Sequence, residues 1–593
     1  MKYISLTLGP ITRTINLAES TKELWAASYF FSYLAKKIVE PFAKGERKRE
    51  FLMPFVSDER IWKPCSGAGL FPDRYIFKSQ DDDFDFMTKH VESVLSKIAE
   101  YLANLLEPTP NASEVMKFLK SFLKIYFFEK SFAETSIETI VLKCERYMNL
   151  VEMQDSCPEK ETGNYLQTLF ENVNGNPKWD GNHKITSFEG SFLSKDAFGE
   201  NYKNRLFSSI MEISAIEKGS DFLQEMITVE YEIEKKKEKI KKEKNKERNE
   251  NLKAEHKTLE EENRQLLKQL APYQKYIAIV KADGDDIGKA KKVLGKNGTE
   301  IINKAFLEFN IAVVDIINAY NGKPVFIGGD DILLFAPVYY DGKTIFDLIN
   351  DIDTCFGQCF EGKLAKEKKP TLSFGVSITY HKFPMFEALE NADYLLFGKA
   401  KNGELKNWLL SKGIEKDDLD FITKNNLAFT IQKHSGQAIT AMLDKGNAKS
   451  YKLFFEIIKK YAKPDLQEDK EKEEKKNNFL SSVMHKLKGY ESMLNYILKH
   501  EDSKLILQNF FENNFNEPVH EQYVGLLTDI QNLLLNLYGE INSKADVFNK
   551  RIETFEQLKE EKDNILVNPV AETINQVYAI LRFIHFINSK NNE

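Results

Sequence analysis

Residues 323 to 337 read Lys-Pro-Val-Phe-Ile-Gly-Gly-Asp-Asp-Ile-Leu-Leu-Phe-Ala-Pro: an apolar run, four turn-forming residues, and a second apolar run. Two strands so closely joined form a hairpin, because the glycine-containing link is too short for anything but a tight turn. Gly328 and Gly329 tolerate positive φ and let another molecule approach the backbone. Asp330 and Asp331 are then held at the hairpin tip, within reach of water and cations. Paired carboxylates suit hard divalent ions such as magnesium, which nucleotide enzymes use to bind phosphates.

A strand that could flank this hairpin lies upstream. Tyr276-Ile-Ala-Ile-Val-Lys-Ala282 is followed by Asp283-Gly284-Asp285-Asp286-Ile-Gly288. If the two strands are neighbours, Asp283 stands beside the hairpin tip. Asp285 and Asp286 are further candidates, or simply part of a polar loop. Thr299 to Tyr320 shows helical periodicity, with Ile302, Ala305, Phe306, Phe309 and Val313 on one face. A helix at about 343–361, a strand Thr371–Tyr380 and a helix Pro384–Lys401 follow. Strand, helix, hairpin, helix, strand, helix is the order of a ferredoxin-like palm.

The rest of the chain sets bounds on this reading. At 593 residues it is too long for one core and predicts three or four domains. Hydrophobic residues make up 42% and charged residues 29%, as in ordinary soluble domains. No apolar run reaches the roughly 18–20 residues of a membrane span, and Met1-Lys-Tyr-Ile-Ser lacks the layout of a secretory signal. Five cysteines without a paired motif fit a reducing, cytoplasmic setting. Cys355 and Cys359 lie one helical turn apart with no second pair, so buried apolar roles and no zinc are expected. The net charge of −7 argues against gripping long nucleic acid by bulk charge, though a local basic groove stays open.

Residues 1–155 repeat the palm order. Lys2–Leu8 is a predicted strand and Thr12–Lys44 mostly helix. Glu50–Val56 and Tyr75–Phe77 form a broken hairpin, Asp85–Leu106 a helix, Leu123–Phe128 a strand and Ser136–Val151 a helix. We read this as a first palm without a metal-binding hairpin. Asp81-Asp82-Asp83 is expected to be a solvated loop or helix start rather than a substitute. Residues 156–270 are a linker and helical domain. Its charged run Lys235–Arg248 and its leucines at 252, 259 and 266 predict a solvated helical arm with a short coiled-coil stripe, or else a nucleic-acid patch. Residues 271–410 hold the second palm. Residues 411–593 are a C-terminal helical domain, with helices expected from about Leu405 onward and a mobile loop at Asp469–Lys476. The fold class is α+β: two ferredoxin-like palms plus helical domains.

The strand-end Asp283, the Gly-Gly-Asp-Asp hairpin, Ser373-Phe-Gly-Val376 and Ala400-Lys401-Asn-Gly403 together resemble a polymerase/cyclase palm, a layout shared by diguanylate cyclases. Leu8-Gly-Pro-Ile11 and Glu23–Leu34 narrow the resemblance to the large subunit of type III CRISPR effector complexes, in its Cmr form. Only these short segments carry it in recognisable residues. It implies a nucleotidyltransferase that uses ATP and magnesium or manganese, activated by target RNA within a complex of guide RNA and other Cmr-type subunits. The product is then an adenylate second messenger of antiviral defence: cyclic oligoadenylate, or adenylated S-adenosylmethionine. The alternative is a catalytically silent structural subunit. Relatives often carry a nuclease domain with an adjacent His-Asp pair before the first palm. No such dipeptide occurs here, so DNA cutting is not expected.

The residues expected to act are Asp283, Asp330 and Asp331, as catalytic metal ligands. Gly284, Gly328, Gly329, Ser373 and Lys401 are expected around the nucleotide; Lys401 matches the helix-end lysine that meets the triphosphate in related palms, or is an ordinary helix C-terminal charge. Asp73 stands where relatives carry an acceptor-pocket asparagine, in Gly69-Leu-Phe-Pro-Asp-Arg-Tyr75. Its carboxylate would favour a cationic acceptor over a second triphosphate, or else merely pairs with Arg74 or caps a turn. Glu152 could supply a second acid.

Overall fold

A computed structural model describes the chain except for residues 66, 106–110, 134–135, 154–163, 180–184, 201–208, 244, 366–367, 465–469, 517, 559–565 and 590–593. The first sheet is built on β1 (Lys2–Gly9), buried from Tyr3 to Leu8. β1 pairs antiparallel with β3 (Arg74–Ser79) and β4 (Lys124–Ser131), and β2 (Phe51–Met53) lies outside β3. Period-two alternation sends Ile4, Leu6 and Leu8 to one face, against α1 (Thr21–Ala43) and α2 (Asp83–Leu105). Tyr3 faces the other way, with Leu52 and Ile76, under α3 (Ile137–Glu152).

Asp83 opens α2, as the helix-start alternative has it, and it is fully buried there, bonded by Arg49 Nε at 2.6 Å and Arg47 Nη1 at 3.1 Å. A buried carboxylate needs such partners.

Two long helices, α4 (Ser220–Lys242) and α5 (Lys246–Lys268), form the charged arm. Met226, Val229, Ile233 and Leu266 close its base, with Leu259 half-buried beside them. The linker region also carries a two-stranded ribbon, Pro177–Trp179 with Ile185–Phe188, that helical reading had not anticipated.

The second sheet repeats the first. β5 (Tyr276–Asp285) lies between β7 (Asp331–Pro337) and β8 (Thr371–Tyr380), with β6 (Lys323–Gly328) beyond β7. α6 (Gly298–Ala319) and α7 (Ile345–Gln358) cover one face. The sheet then continues: β9 (Asn426–Gln432) runs parallel to β8, and β10 (Ala438–Asp444) closes the edge. This overturns the expectation of helices throughout from Leu405 and carries the sheet past the expected boundary at 410. The physical reason is local. Asn426-Leu-Ala-Phe-Thr-Ile-Gln432 is rich in β-formers, and Gly436, at a φ of 87°, makes the turn back.

The remaining chain is helical. α8 (Lys470–Gly489) begins where a mobile loop was expected, so Lys470–Lys476 are helix; Asp469 and Cys157 lie outside the described residues. α9 (Val524–Glu553) packs on the deeply buried α10 (Pro569–Asn588), whose Phe583 meets Phe346 of α7 at 4.7 Å between ring centroids. Cys144 is buried, while Cys65, Cys355 and Cys359 are half-buried against the main core. The palms touch directly: Ser28 Oγ donates to Val325 O (2.7 Å), and Asn303 Nδ2 donates to Leu52 O (3.2 Å).

Candidate active site

Ile332 pairs with Ala282, and Gly328 with Asp331, so the turn is the two residues Gly329-Asp330. Gly329 has a φ of 72° while Asp330 is not among the positive-φ residues. Positive φ at the first central residue alone is the pattern of a type II′ turn, which requires glycine there. Continuing the β5–β7 register by one step sets Asp283 opposite Asp331. Antiparallel partners stand about 5 Å apart at Cα.

Gly284 explains how Asp330 joins them. A Cβ at Gly284 would land on the Asp330 carboxylate, only 2.7 Å from Asp330 Cβ. A hydrogen there is what lets the turn lie down over the strand end.

A residue that sequence reasoning missed steadies this turn. Asn310, buried in the middle of α6, brackets Gly329: with its amide oriented to satisfy both groups, its oxygen accepts from Gly329 N (3.0 Å) and its nitrogen donates to Gly329 O (2.8 Å). Nothing in a helical asparagine nineteen positions before the turn announces that contact.

Lys401 reaches the site from the opposite side. A π-helical turn, Tyr394–Ala400, delivers it, and Asn426 Nδ2 fixes that turn by donating to Ala400 O at 2.7 Å. Single π turns commonly mark functional positions. Lys401 Nζ donates to Asp283 Oδ1 (2.5 Å), Asp283 Oδ2 (2.7 Å) and Gly284 O (2.8 Å), and stands 3.4 Å from Asp285 Oδ1. The lysine expected on a triphosphate is thus held on the strand-end acid.

Asp285, which the sequence left between ligand and loop, is the most buried of these acids, its side chain 2% exposed. Its Oδ2 accepts from Ser373 Oγ (2.7 Å), Thr371 Oγ1 (3.1 Å) and Asn425 N (3.1 Å). Ser373 is therefore corrected from a nucleotide contact to a buried support of Asp285. The signal was present in the Asp-x-Asp spacing, which puts 283 and 285 on one face of a strand. Asp286 points away, left-handed at a φ of 58° and near Lys289 and Lys424.

The carboxyls of Asp330 and Asp331 are both pushed above the usual range. Loss of hydration in the cleft is the first cause. The charge of Asp283 follows for Asp330, and those of Asp330, Asp283 and Asp73 act on Asp331. Asp331 is open to solvent along one edge, so water damps its share. Asp73, in the first palm, is near enough for its charge to act on Asp331; its own carboxyl is raised by burial and drawn back by the charge of Arg74. It does not pair with Arg74 through a hydrogen bond. Arg74 Nη2 instead donates to Glu152 Oε2 (2.5 Å), which also accepts from Thr7 through Oε1, so Glu152 is engaged behind the cleft.

Among the described residues no three His, Cys, Asp or Glu side chains are arranged as a ready-made metal cage. Magnesium seldom uses one: it is commonly held by one or two carboxylates together with substrate phosphates. Asp283 and Asp330, brought together by the bare Gly284 and crowded enough to repel, are a donor set that fits such an ion.

An antiparallel sheet with acids at its central strand end and at a hairpin tip defines a palm-type fold. Residues 276–410 match the family model described as Cas10/Cmr2, second palm domain, and residues 3–107 match CRISPR-associated protein Cmr2, N-terminal. In these two stretches the chain is similar to the Cas10/Cmr2 proteins. It is 33% identical over 162 residues to the CRISPR system Cmr subunit Cmr2 of Pyrococcus furiosus, a match covering 23% of this chain and 18% of that protein. Among solved structures it is similar to type III-B Cmr-beta in the apo state (TM-score 0.46, 11% identity, 86% of this chain and 77% of that one). It is also similar to a Csm1–Csm4 cassette in complex with one ATP (TM-score 0.42, 11% identity, 99% of this chain and 70% of that one). No helix among the described residues is long and apolar enough to cross a membrane.

Proposed function

We propose that this chain is an ATP-using nucleotidyltransferase acting within a Cmr-type effector, in company with other Cmr subunits, guide RNA and target RNA. The observation that carries the reading is the juxtaposition of Asp283 with the Gly328-Gly329-Asp330-Asp331 turn, with Lys401 as the cation between strand end and helix end. Magnesium or manganese, when bound, would neutralise triphosphate charge and lower the pKa of the attacking hydroxyl. Asp283 and Asp330 would hold it, with Asp331 beside them. Asp285 and Ser373 keep the strand end rigid from behind, and Gly328 and Gly329 leave the backbone open to the nucleotide. The reaction joins an acceptor oxygen to the α-phosphorus of ATP while the bond to pyrophosphate breaks.

The acceptor follows from the opposite wall. The Asp73 charge acts on Asp331, so a carboxyl from each palm comes near the hairpin, although burial raises the Asp73 carboxyl and the Arg74 charge opposes that. Such a wall disfavours a second triphosphate and attracts a sulfonium or ammonium, by roughly a few kcal/mol where partly desolvated. S-adenosylmethionine fits that chemistry better than a second ATP, whose product would be cyclic oligoadenylate.

The test is to assemble the complex with guide and target RNA, supply labelled ATP with and without S-adenosylmethionine, and identify products by mass. An adenylated product lost on replacing Asp330 and Asp331 with alanine is expected, while RNA binding persists. No product in the parent, or product undiminished in the double variant, favours the structural-subunit alternative. Asp73→Asn should shift acceptor use away from the sulfonium; unchanged use ends that part of the reading.

A further inference from the structure

Lys401 carries three ammonium protons, and in this structure all three are spent: two on the Asp283 oxygens and one on Gly284 O. Asp285 Oδ1 lies 3.4 Å from the same nitrogen, buried and without a hydrogen bond. Its sister oxygen is saturated by Ser373, Thr371 and Asn425, which fixes the carboxylate's orientation. Two other ammonium groups feel Asp285: Lys445 is bonded to Asp353 at 2.5 Å, and Lys406 senses the charge without a bond to it. A buried carboxylate aimed at a lysine that is occupied elsewhere is a costly arrangement unless the lysine sometimes uses it.

We infer that Asp285 is a positioning residue that receives Lys401 when a divalent cation takes Asp283. This rests on the metal role proposed above for Asp283. An ion on the Asp283 oxygens frees two ammonium protons at a side chain only 13% exposed, where water cannot readily replace the lost bonds. The nearest unfilled acceptor is Asp285 Oδ1. Closing 3.4 Å to an ordinary bond of about 2.9 Å takes a movement of roughly half an ångström. Asp283 and Asp285 share one face of β5, two residues and about 7 Å apart along the strand, so the ammonium pivots between them without leaving the site. Lys401 thus neutralises Asp283 before the ion arrives and Asp285 afterwards. The ammonium is bonded to Asp283 in the first state and to Asp285 Oδ1 in the second, and stays near both throughout.

The test measures manganese binding to the full chain without nucleotide, by the loss of the free-ion resonance signal. It compares the parent, Asp285→Asn, Lys401→Gln and the double variant. Lys401→Gln removes the competing cation and should tighten binding. In Asp285→Asn the three donors hold the amide oxygen in place of Oδ2, which turns the amide NH2 toward the lysine. The ammonium then has nowhere to go, and binding should weaken by roughly tenfold, the scale of losing an outer-shell partner. With Gln at 401 the same Asp285→Asn change should leave affinity unaltered. Equal weakening in both backgrounds would make Asp285 a merely structural support, and no weakening beside Lys401 would remove the handover altogether. Should Asp285→Asn fail to fold, Ser373→Ala withdraws one orienting donor, and a weakening of about threefold confined to the Lys401 background is expected. Manganese binding indifferent to Asp283→Ala would instead overturn the metal role on which the inference stands.

Discussion

In the first palm β1 ends in Leu8-Gly9, and in the second the matching residues near the end of β5 are Asp283-Gly284. The sheets have the same order, so the positions correspond: Thr7 pairs with Arg74 as Ala282 pairs with Ile332. One step further, Leu8 stands where Asp283 does, and Asp73 stands where Asp331 does. The helix after the fourth strand also meets the strand end in both palms, with opposite charge. Lys401 bonds Asp283 in one, while Glu152 bonds Arg74 and Thr7 in the other. Twenty residues replace the two-residue turn between β2 and β3. One scaffold therefore supports an acid-rich strand end closed by lysine and a strand end closed by its own Arg–Glu pair. The difference at the strand end lies in a handful of side chains and in the connection between β2 and β3, on four strands of the same order.

The largest contrast is expected from the acids themselves. Replacing Asp330 and Asp331 with alanine should lower nucleotide product by at least roughly a hundredfold. Replacing Arg74 and Glu152 should leave it within a few-fold, in the same assay on the assembled complex. Comparable losses from both pairs would erase the distinction.

The two glycines give the next contrast. Gly284→Ala drives a methyl group onto Asp330, whereas Gly9→Ala meets nothing nearer than 3.8 Å. The first should cost about 1–3 kcal/mol by overpacking and most of the product, the second less than about 0.5 kcal/mol. Chemical denaturation of each variant decides.

The hairpin acids also predict a pH signature. Because the folded carboxyl of Asp331 titrates above its unfolded value, the folded state holds the proton longer, and stability from this group falls as pH rises above the ordinary carboxylate range. Asp331→Asn should therefore raise the melting temperature at pH 8, and the gain should shrink toward pH 5. A gain that grows on acidification would contradict the crowding of acids.

The smallest effect belongs to the first palm. Glu152→Gln loosens a partly exposed pair and should cost about 1 kcal/mol or less, with product unaffected.

Much of this was legible in the chain, for physical reasons that differ by residue. The hairpin and strand end are local signals: glycine at a turn, acids at a strand terminus, helix periodicity between them. Asp285 and Ser373 were not separable from sequence, since their bond depends on the β5–β8 register that pairs Ser373 with Asp283 and Thr371 with Asp285. Asn310 belongs to a helix whose apolar stripe drew the eye to its neighbours. β9 and β10 are weak signals in the sequence, because their alternation is short and flanked by helices on both sides. The burial of Asp83 needed Arg47 and Arg49, which sequence separation hid.

The central claim is that the second palm, and not the first, holds the divalent ion. Manganese and a non-hydrolysable ATP analogue bound to the assembled complex, with the ion located by its anomalous scattering, test it most directly. Manganese is expected between Asp283 and Asp330, with Lys401 drawn off Asp283. An ion at the Arg74–Glu152 end of the first palm, or nucleotide bound with Lys401 still seated on Asp283 and no metal beside it, would contradict it.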